Sequence, residues 1–188
     1  MKNGIIVNES TGARFLERWR IKVVLPYLNG RVLDIGCGHN NLLANYKRIK
    51  NGDGIGVDII QWGPVDIVAD NSANLSMFED GSFNTITFLA CINHILNREE
   101  VLAEAWRLLA PDGRLVITMI PRGIGDFWHR FTSHFYGKEK HALNEKSGEV
   151  GGMNRREIHA LLKKTGFALI SEKRFMVGIN HLYIAAKR

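Results

Sequence analysis

The chain has 188 residues, 45% of them hydrophobic and 23% charged, and a formal net charge of +6. That length supports one domain, residues 1–188, with a sizeable core, and the composition excludes both a disordered chain and one that spans a membrane. Cys37 and Cys91 form no disulfide framework, and the polar, interrupted start MKNGIIVNES does not read as a signal peptide, so a cytoplasmic setting is expected.

Residues 1–29 are expected to form a helical segment. Ser10 can cap a helix in which Phe15, Leu16, Trp19, Val23 and Val24 recur at helical spacing, and Pro26 and Asn29-Gly30 end it. A first strand, Arg31 to Ile35, breaks into Gly36-Cys37-Gly38, and a helix opens at Asn41 and runs out at Asn51-Gly52. Gly54 to Asp58 is a second strand with an acid at its end, and Val65 to Ala69 a third, followed by Asp70-Asn71. The Asp80-Gly81 turn leads into Phe83 to Leu89, rich in β-branched and aromatic residues. Asn97 with Glu100 has the spacing of a capping box for a helix carrying Val101, Leu102, Ala105, Leu108 and Leu109 on one face. Pro111-Asp112-Gly113 stops that helix, and Leu115 to Ile120 is a fifth strand. A second capping box, Asn154 with Glu157, opens a helix that ends at Gly166. Phe167 to Phe175 and Ile179 to Ala186 are separated by only three residues, so they must pair as a hairpin.

Strand and helix alternating in this way imply a doubly wound α/β sheet, mostly parallel, with helices on both faces and an antiparallel strand at the end of the chain. Such a sheet binds its ligand in the crevice beyond the carboxyl ends of its strands. The crevice falls just past Ile35, where Gly36 and Gly38 let the backbone turn tightly and approach a ligand with no Cβ in the way.

On these residues the chain resembles the class I S-adenosylmethionine-dependent methyltransferases, in particular the small-molecule branch. Four segments carry the resemblance: Leu33-Asp34-Ile35-Gly36-Cys37-Gly38, Asp58, Asp70-Asn71, and the pair Asp80-Gly81-Ser82-Phe83 and Trp106 to Gly113. The resemblance implies a seven-stranded Rossmann-like methyltransferase fold. It also implies S-adenosylmethionine as cofactor, held by Asp34, Gly36, Cys37, Gly38, Asp58, Ile59, Asp70, Asn71, Leu89 and Ala90. In that reading the carboxylate of Asp58 accepts from both ribose hydroxyls and Asp70-Asn71 contacts the adenine edge. The later signatures are structural. Three positions depart from the family pattern: Asn40 stands where glycine is common, Asn84 where an Asp commonly begins the fourth strand, and Asp112 in a usual Pro-Gly-Gly turn. Asn tolerates a left-handed backbone, so the first departure is compatible with the turn.

A nicotinamide enzyme would need Gly-x-Gly-x-x-Gly, and Asn41 stands at the third glycine. Cys91 follows the fourth strand with no neighbour that would activate a thiol, so it reads as a small residue lining the cofactor pocket, and His94 as packing. His129, His134 and His141 are spaced too loosely for a metal site. Residues 121–153 interrupt the fold after the fifth strand and carry Phe127, Trp128, Phe131, Phe135 and Tyr136. Long insertions at the ligand end of a sheet are often lids or substrate walls, so this segment is the candidate acceptor lid. His134, followed by Tyr136 and His129, is the candidate general base.

The expected activity is methyl transfer to a small or lipid-like acceptor. The alternatives are an RNA methyltransferase and a non-catalytic S-adenosylmethionine-binding accessory protein. The positive charge favours RNA, but it is dispersed over Arg14, Arg18, Arg20 and Lys22, then Lys138 and Lys140, then Lys187 and Arg188, which argues against a nucleic-acid stripe.

Overall fold

A computed structural model describes residues 13–71, 73–122 and 152–188. In chain order these form α1 (Ala13–Val24), a 3-10 turn (Leu25–Tyr27), β1 (Arg31–Ile35), α2 (Asn41–Lys50), β2 (Asp53–Asp58), β3 (Ile67–Val68) and β4 (Phe83–Leu89). A second 3-10 turn (Ile92–His94), α3 (Arg98–Leu108), β5 (Leu109–Met119), α4 (Arg155–Lys164), β6 (Phe167–Phe175) and β7 (Asn180–Lys187) complete them. The strands make one seven-stranded sheet in the order β3-β2-β1-β4-β5-β7-β6. β1 to β5 are parallel, and β7 runs antiparallel to both neighbours, β5 and β6. The antiparallel strand expected at the end of the chain is therefore β7. It inserts between β5 and β6, and β6 forms the sheet edge.

Two apolar layers sandwich this sheet. On one face α1 and α2 bring Ile21, Val24, Leu42 and Leu43 against Val32, Val116 and Leu182. On the other, α3 and α4 bring Val101, Leu102, Ile158 and Leu162 against Leu33, Ile86, Leu115 and Tyr183. With both faces covered, Val32 to Ile35 of β1 are all buried, which is why that strand reads as a continuous run rather than an alternation. Along β6, exposed Lys173 and Arg174 blunt the open edge. Among the described residues no helix is long and apolar enough to cross a membrane.

Beyond shifts of one residue at strand ends, three differences from the sequence reading stand out. β3 is two residues long rather than five. β5 begins at Leu109 instead of Leu115, because α3 passes directly into strand. There Phe83 pairs with Leu109 but Thr85 pairs with Arg114, so the excess residues of β5 bulge outward. Pro111, which has no N–H to give a ladder, lies in that bulge. The third difference is a cap. Asn154 has an extended backbone (φ −82°, ψ 173°) and forms the full capping box: Asn154 Oδ1 accepts from Glu157 N at 3.0 Å and Glu157 Oε2 from Asn154 N at 2.7 Å. Asn97 sits at ψ 51° and caps no backbone N–H; its amide instead donates to Glu100 Oε2 at 2.8 Å.

Strand order reverses between β1 and β4. The carboxyl ends at Ile35, Asp58, Leu89 and Met119 therefore open on one edge, with the reversal at its centre.

Candidate functional site

The glycine turn is built by β2. Gly36 N and Cys37 N both donate to Val57 O, at 2.8 and 3.1 Å, and Gly38 N donates to Asp58 Oδ2 at 2.9 Å. All three N–H groups are engaged inside the protein, so the turn offers a ligand space rather than donors. Gly36 (φ +72°) must be glycine on two counts: its backbone is left-handed, and a Cβ would lie 2.6 Å from Cys91 Cβ. Gly38 (φ +55°) is different, because a Cβ there would meet nothing within 4 Å. The open volume beyond Gly38 lies over the carboxyl ends of β1 and β2.

Asp58 is buried at the side of that volume. Its Oδ2 accepts from Gly38 N and its Oδ1 from Ile60 N at 3.1 Å. Each oxygen then retains a lone pair, which suits two adjacent hydroxyl donors. Ile59, the next residue, is partly buried.

Asn40 holds the turn from the other end. It adopts the left-handed backbone (φ 56°) that glycine would otherwise supply. Its amide donates to Pro64 O at 3.0 Å and to Asp66 Oδ2 at 2.9 Å, and the same Asp66 oxygen accepts from Gly56 N at 2.7 Å. The departure at position 40 thus ties the turn to the loop that leads into β3. Asn84, the second departure, accepts from Arg31 N at 2.9 Å and so closes the start of β1.

Asp34 lies beneath the turn, 1% exposed, with the Thr87 hydroxyl donating to its Oδ1. Burial pushes its carboxyl up to about 7 despite the Thr87 bond, and the nearby charges of Asp58 and Glu17 push it the same way. The sequence does not single out Thr87. Its signal is a hydroxyl inside an apolar strand, which when buried must find a partner. Burial likewise raises the Cys37 and Cys91 thiols well above the ordinary thiol range, and Cys91 Sγ donates to Ile35 O at 2.9 Å. Neither is an activated nucleophile.

On the β4 side, Leu89 packs against the α1–α2 layer, and Ala90 turns left-handed (φ 60°) with its N–H donating to Thr118 O at 3.0 Å. The 3-10 turn that follows is stapled by Arg98, which donates to Ile92 O and Asn93 O, both at 2.9 Å. Asp70 and Asn71 are exposed, on the loop after β3. Asn71 Oδ1 accepts from Ala73 N at 2.9 Å and, more weakly, from Asn97 Nδ2 at 3.4 Å, so the loop reaches across to the start of α3. The two later signatures prove to be one staple. Arg107 bonds Glu104, Asp80, Phe78 O and Leu75 O, and its own carbonyl accepts from Gly81 N at 3.0 Å.

The structure therefore gathers Asp34, Gly36, Cys37, Gly38, Asp58, Ile59, Leu89 and Ala90 at the reversal of strand order, with Asp70-Asn71 on a loop at its rim. The candidate bases His129, His134 and Tyr136 lie outside the described residues, as does most of the candidate lid. Its two ends do not: Arg122 N donates to Met153 O at 3.3 Å and Arg122 Nε to Gly152 O at 2.9 Å. The described residues Arg122, Gly152 and Met153 thus meet beside the carboxyl end of β5.

Comparison with known proteins decides the family. A family model described as a methyltransferase domain matches residues 11–172. The chain belongs to that family. The ubiquinone/menaquinone biosynthesis C-methyltransferase of Vibrio campbellii is 29% identical over 113 residues, covering 51% of this chain and 43% of the relative. Phosphoethanolamine N-methyltransferase 2 of Caenorhabditis elegans is 30% identical over 90 residues, covering 48% of this chain and 18% of the relative. The chain spans less than half the length of these curated relatives. Among solved structures, a SAM-dependent methyltransferase of Archaeoglobus fulgidus superposes with a TM-score of 0.69 at 16% identity, covering 93% of this chain and 94% of that one. The fold is that of S-adenosylmethionine-dependent methyltransferases. The residues present fit this cofactor: the volume beyond Gly38 is one that a side chain would have filled, and Asp58 keeps two lone pairs for a ribose diol.

Proposed function

We propose that this methyltransferase-family chain transfers the methyl group of S-adenosylmethionine to a nucleophilic atom of a small or lipid-like acceptor. The observation that carries the reading is Asp58, a buried carboxylate held by two backbone N–H groups beside the open space at Gly38. When bound, the sulfonium cofactor supplies an already activated methyl carbon, and the displacement needs alignment more than acid–base assistance. The chain's own part follows from its geometry. Asp58 orients the ribose, the glycine turn admits the ligand close to the backbone, and buried Leu33, Ile35 and Ile92 exclude water from the floor. Cys37 and Cys91 stay protonated, so the acceptor has no competing protein thiolate. For acceptors that must lose a proton, His134 is the proposed base, with Tyr136 and His129 as alternatives.

Calorimetry with S-adenosylmethionine and with its demethylated product tests the cofactor half. Asp58→Ala removes a charge-assisted hydrogen-bond acceptor worth about 1.5–3 kcal/mol, so both affinities should fall roughly tenfold or more. Unchanged affinity removes Asp58 from the site. A screen of amine, hydroxyl and carbon acceptors, read as formation of the demethylated cofactor, tests the enzymatic half. Tight cofactor binding without turnover on any acceptor class would instead favour the accessory-protein reading.

A further inference from the structure

The outer face of α1 carries a pattern that the core does not use. Its buried side, Ile21 and Val24, packs on the sheet. Its exposed stripe, at helical spacings of three and four, is Phe15, Arg18, Trp19 and Lys22. Phe15 is 62% and Trp19 38% exposed, their rings edge to face at 5.5 Å. No acidic residue shares the stripe: Glu17 accepts from Asn41 Nδ2 at 3.0 Å, at the first turn of α2. Large aromatics left in water beside cations add nothing to this fold's core, and such patches mark interaction surfaces.

A second apolar feature stands at the same edge of the sheet. Arg20 Nε, on α1, donates to Asn180 Oδ1 at 3.1 Å, and the next residue, His181, pairs with Met119 at the carboxyl end of β5. The hairpin from β6 to β7 therefore projects from the ligand edge. At its tip Met176 and Val177 are both left-handed (φ 54° and 56°), and Val177 is 99% exposed. A β-branched residue in that conformation is strained, and Asn or Gly would be at ease there. A strained, fully exposed apolar side chain is the kind of outlier from which function is inferred. Exposed Lys173, which pairs with Leu182 of the α1–α2 layer, leads toward the tip and keeps this side of the edge positive.

We propose that the α1 stripe and the β6–β7 tip dock this protein on the surface of an anionic lipid bilayer, with the mouth of the ligand crevice turned toward the membrane. Tryptophan and phenylalanine seat at headgroup level while lysine and arginine meet anionic headgroups, and an apolar valine inserts beside them. A nucleic acid would use the cations and stacking rings but would leave Val177 without a role. Two aromatic side chains and a few cations give reversible docking, not anchoring. That the crevice receives an acceptor from the bilayer rests on the function proposed above. The docking does not, so it is tested by binding alone.

The experiment is co-flotation of the full chain with phosphatidylcholine vesicles, pure or mixed with phosphatidylglycerol. The wild type should float with the mixed vesicles and not with the pure ones, and salt should release it. Lys22→Glu should weaken binding about fivefold or more, the factor one basic residue near an anionic surface contributes. The double variant Phe15→Ser/Trp19→Ser should weaken it further while leaving cofactor affinity unchanged. Val177→Gly separates docking from folding: it relieves the left-handed strain, so the melting temperature should rise while vesicle binding falls. The proposal is overturned if the wild type shows no preference for anionic vesicles. It is equally overturned if the variants float like the wild type, or if structured RNA displaces the vesicles by binding the same residues more tightly.

Discussion

At the scale of single residues, Asp34 carries an exposed consequence of a buried group. Its carboxyl titrates near 3.8 in the unfolded chain and is pushed up to about 7 in the fold, chiefly by burial. The native state therefore holds a proton that the unfolded state releases. Asp34's contribution to stability is full below about pH 4, falls as pH rises through the window to about 7, and levels off above it. Asp34→Asn keeps an acceptor for the Thr87 hydroxyl and removes the titration. Urea denaturation at a series of pH values should show the wild type losing stability relative to the variant as pH rises through that window. A difference between wild type and variant that stays constant across the window would sink this account of Asp34. The glycine turn and Asp58 were legible in the sequence because their chemistry demands those residue types. Thr87 was not, because its partner is 53 positions away and only the register of β1 on β4, which sets Asp34 against Thr87, brings them together. Nor could the sequence show that the N–H groups of Gly36, Cys37 and Gly38 are all engaged within the protein, since that depends on where β2 ends.

At the scale of elements, the two Asn-x-x-Glu signatures make a natural comparison. They are alike in sequence, yet only Asn154 meets the backbone of its helix, because only there does the preceding chain enter in an extended conformation. Asn154→Ala should then cost about 1 kcal/mol of stability, the usual value of a lost N-cap. Asn97→Ala should cost clearly less, since the bond it removes is a side-chain contact at the surface. Chemical denaturation of both variants checks the ordering, and equal losses would mean that cap geometry does not decide the difference. The entry conformation is set by packing before the helix, which is why periodicity locates α3 and α4 but does not tell their caps apart. The start of β5 was illegible for a related reason. Pro111-Asp112-Gly113 has the chemistry of a turn, and it became a bulge because Leu109 already pairs with Phe83.

At the scale of the whole molecule, alternation of strand and helix was enough to give a doubly wound sheet, and the short final connection was enough to give a hairpin. It was not enough to place β7 between β5 and β6, since a hairpin can add to an edge by either strand. That placement brings the β6–β7 tip to the ligand edge beside α1, and it bears on how a net charge of +6 should be read. The charge invites a nucleic-acid partner, but among the described side chains of α1 and the hairpin strands the exposed cations are Arg18, Lys22, Lys173 and Arg174. Each phosphate neutralised contributes about 0.9 to the salt slope of duplex binding, so these four cations support a slope of about 4 at most. That is far less than a site built for structured RNA shows. Filter binding of folded RNA should accordingly be weak and non-saturating at physiological salt, and the slope should fall by about 1 in Lys22→Glu. Saturable, structure-selective RNA binding with a much steeper slope would overturn the small-molecule reading, because a phosphate-reading surface on that scale would have to draw on cations far beyond these elements.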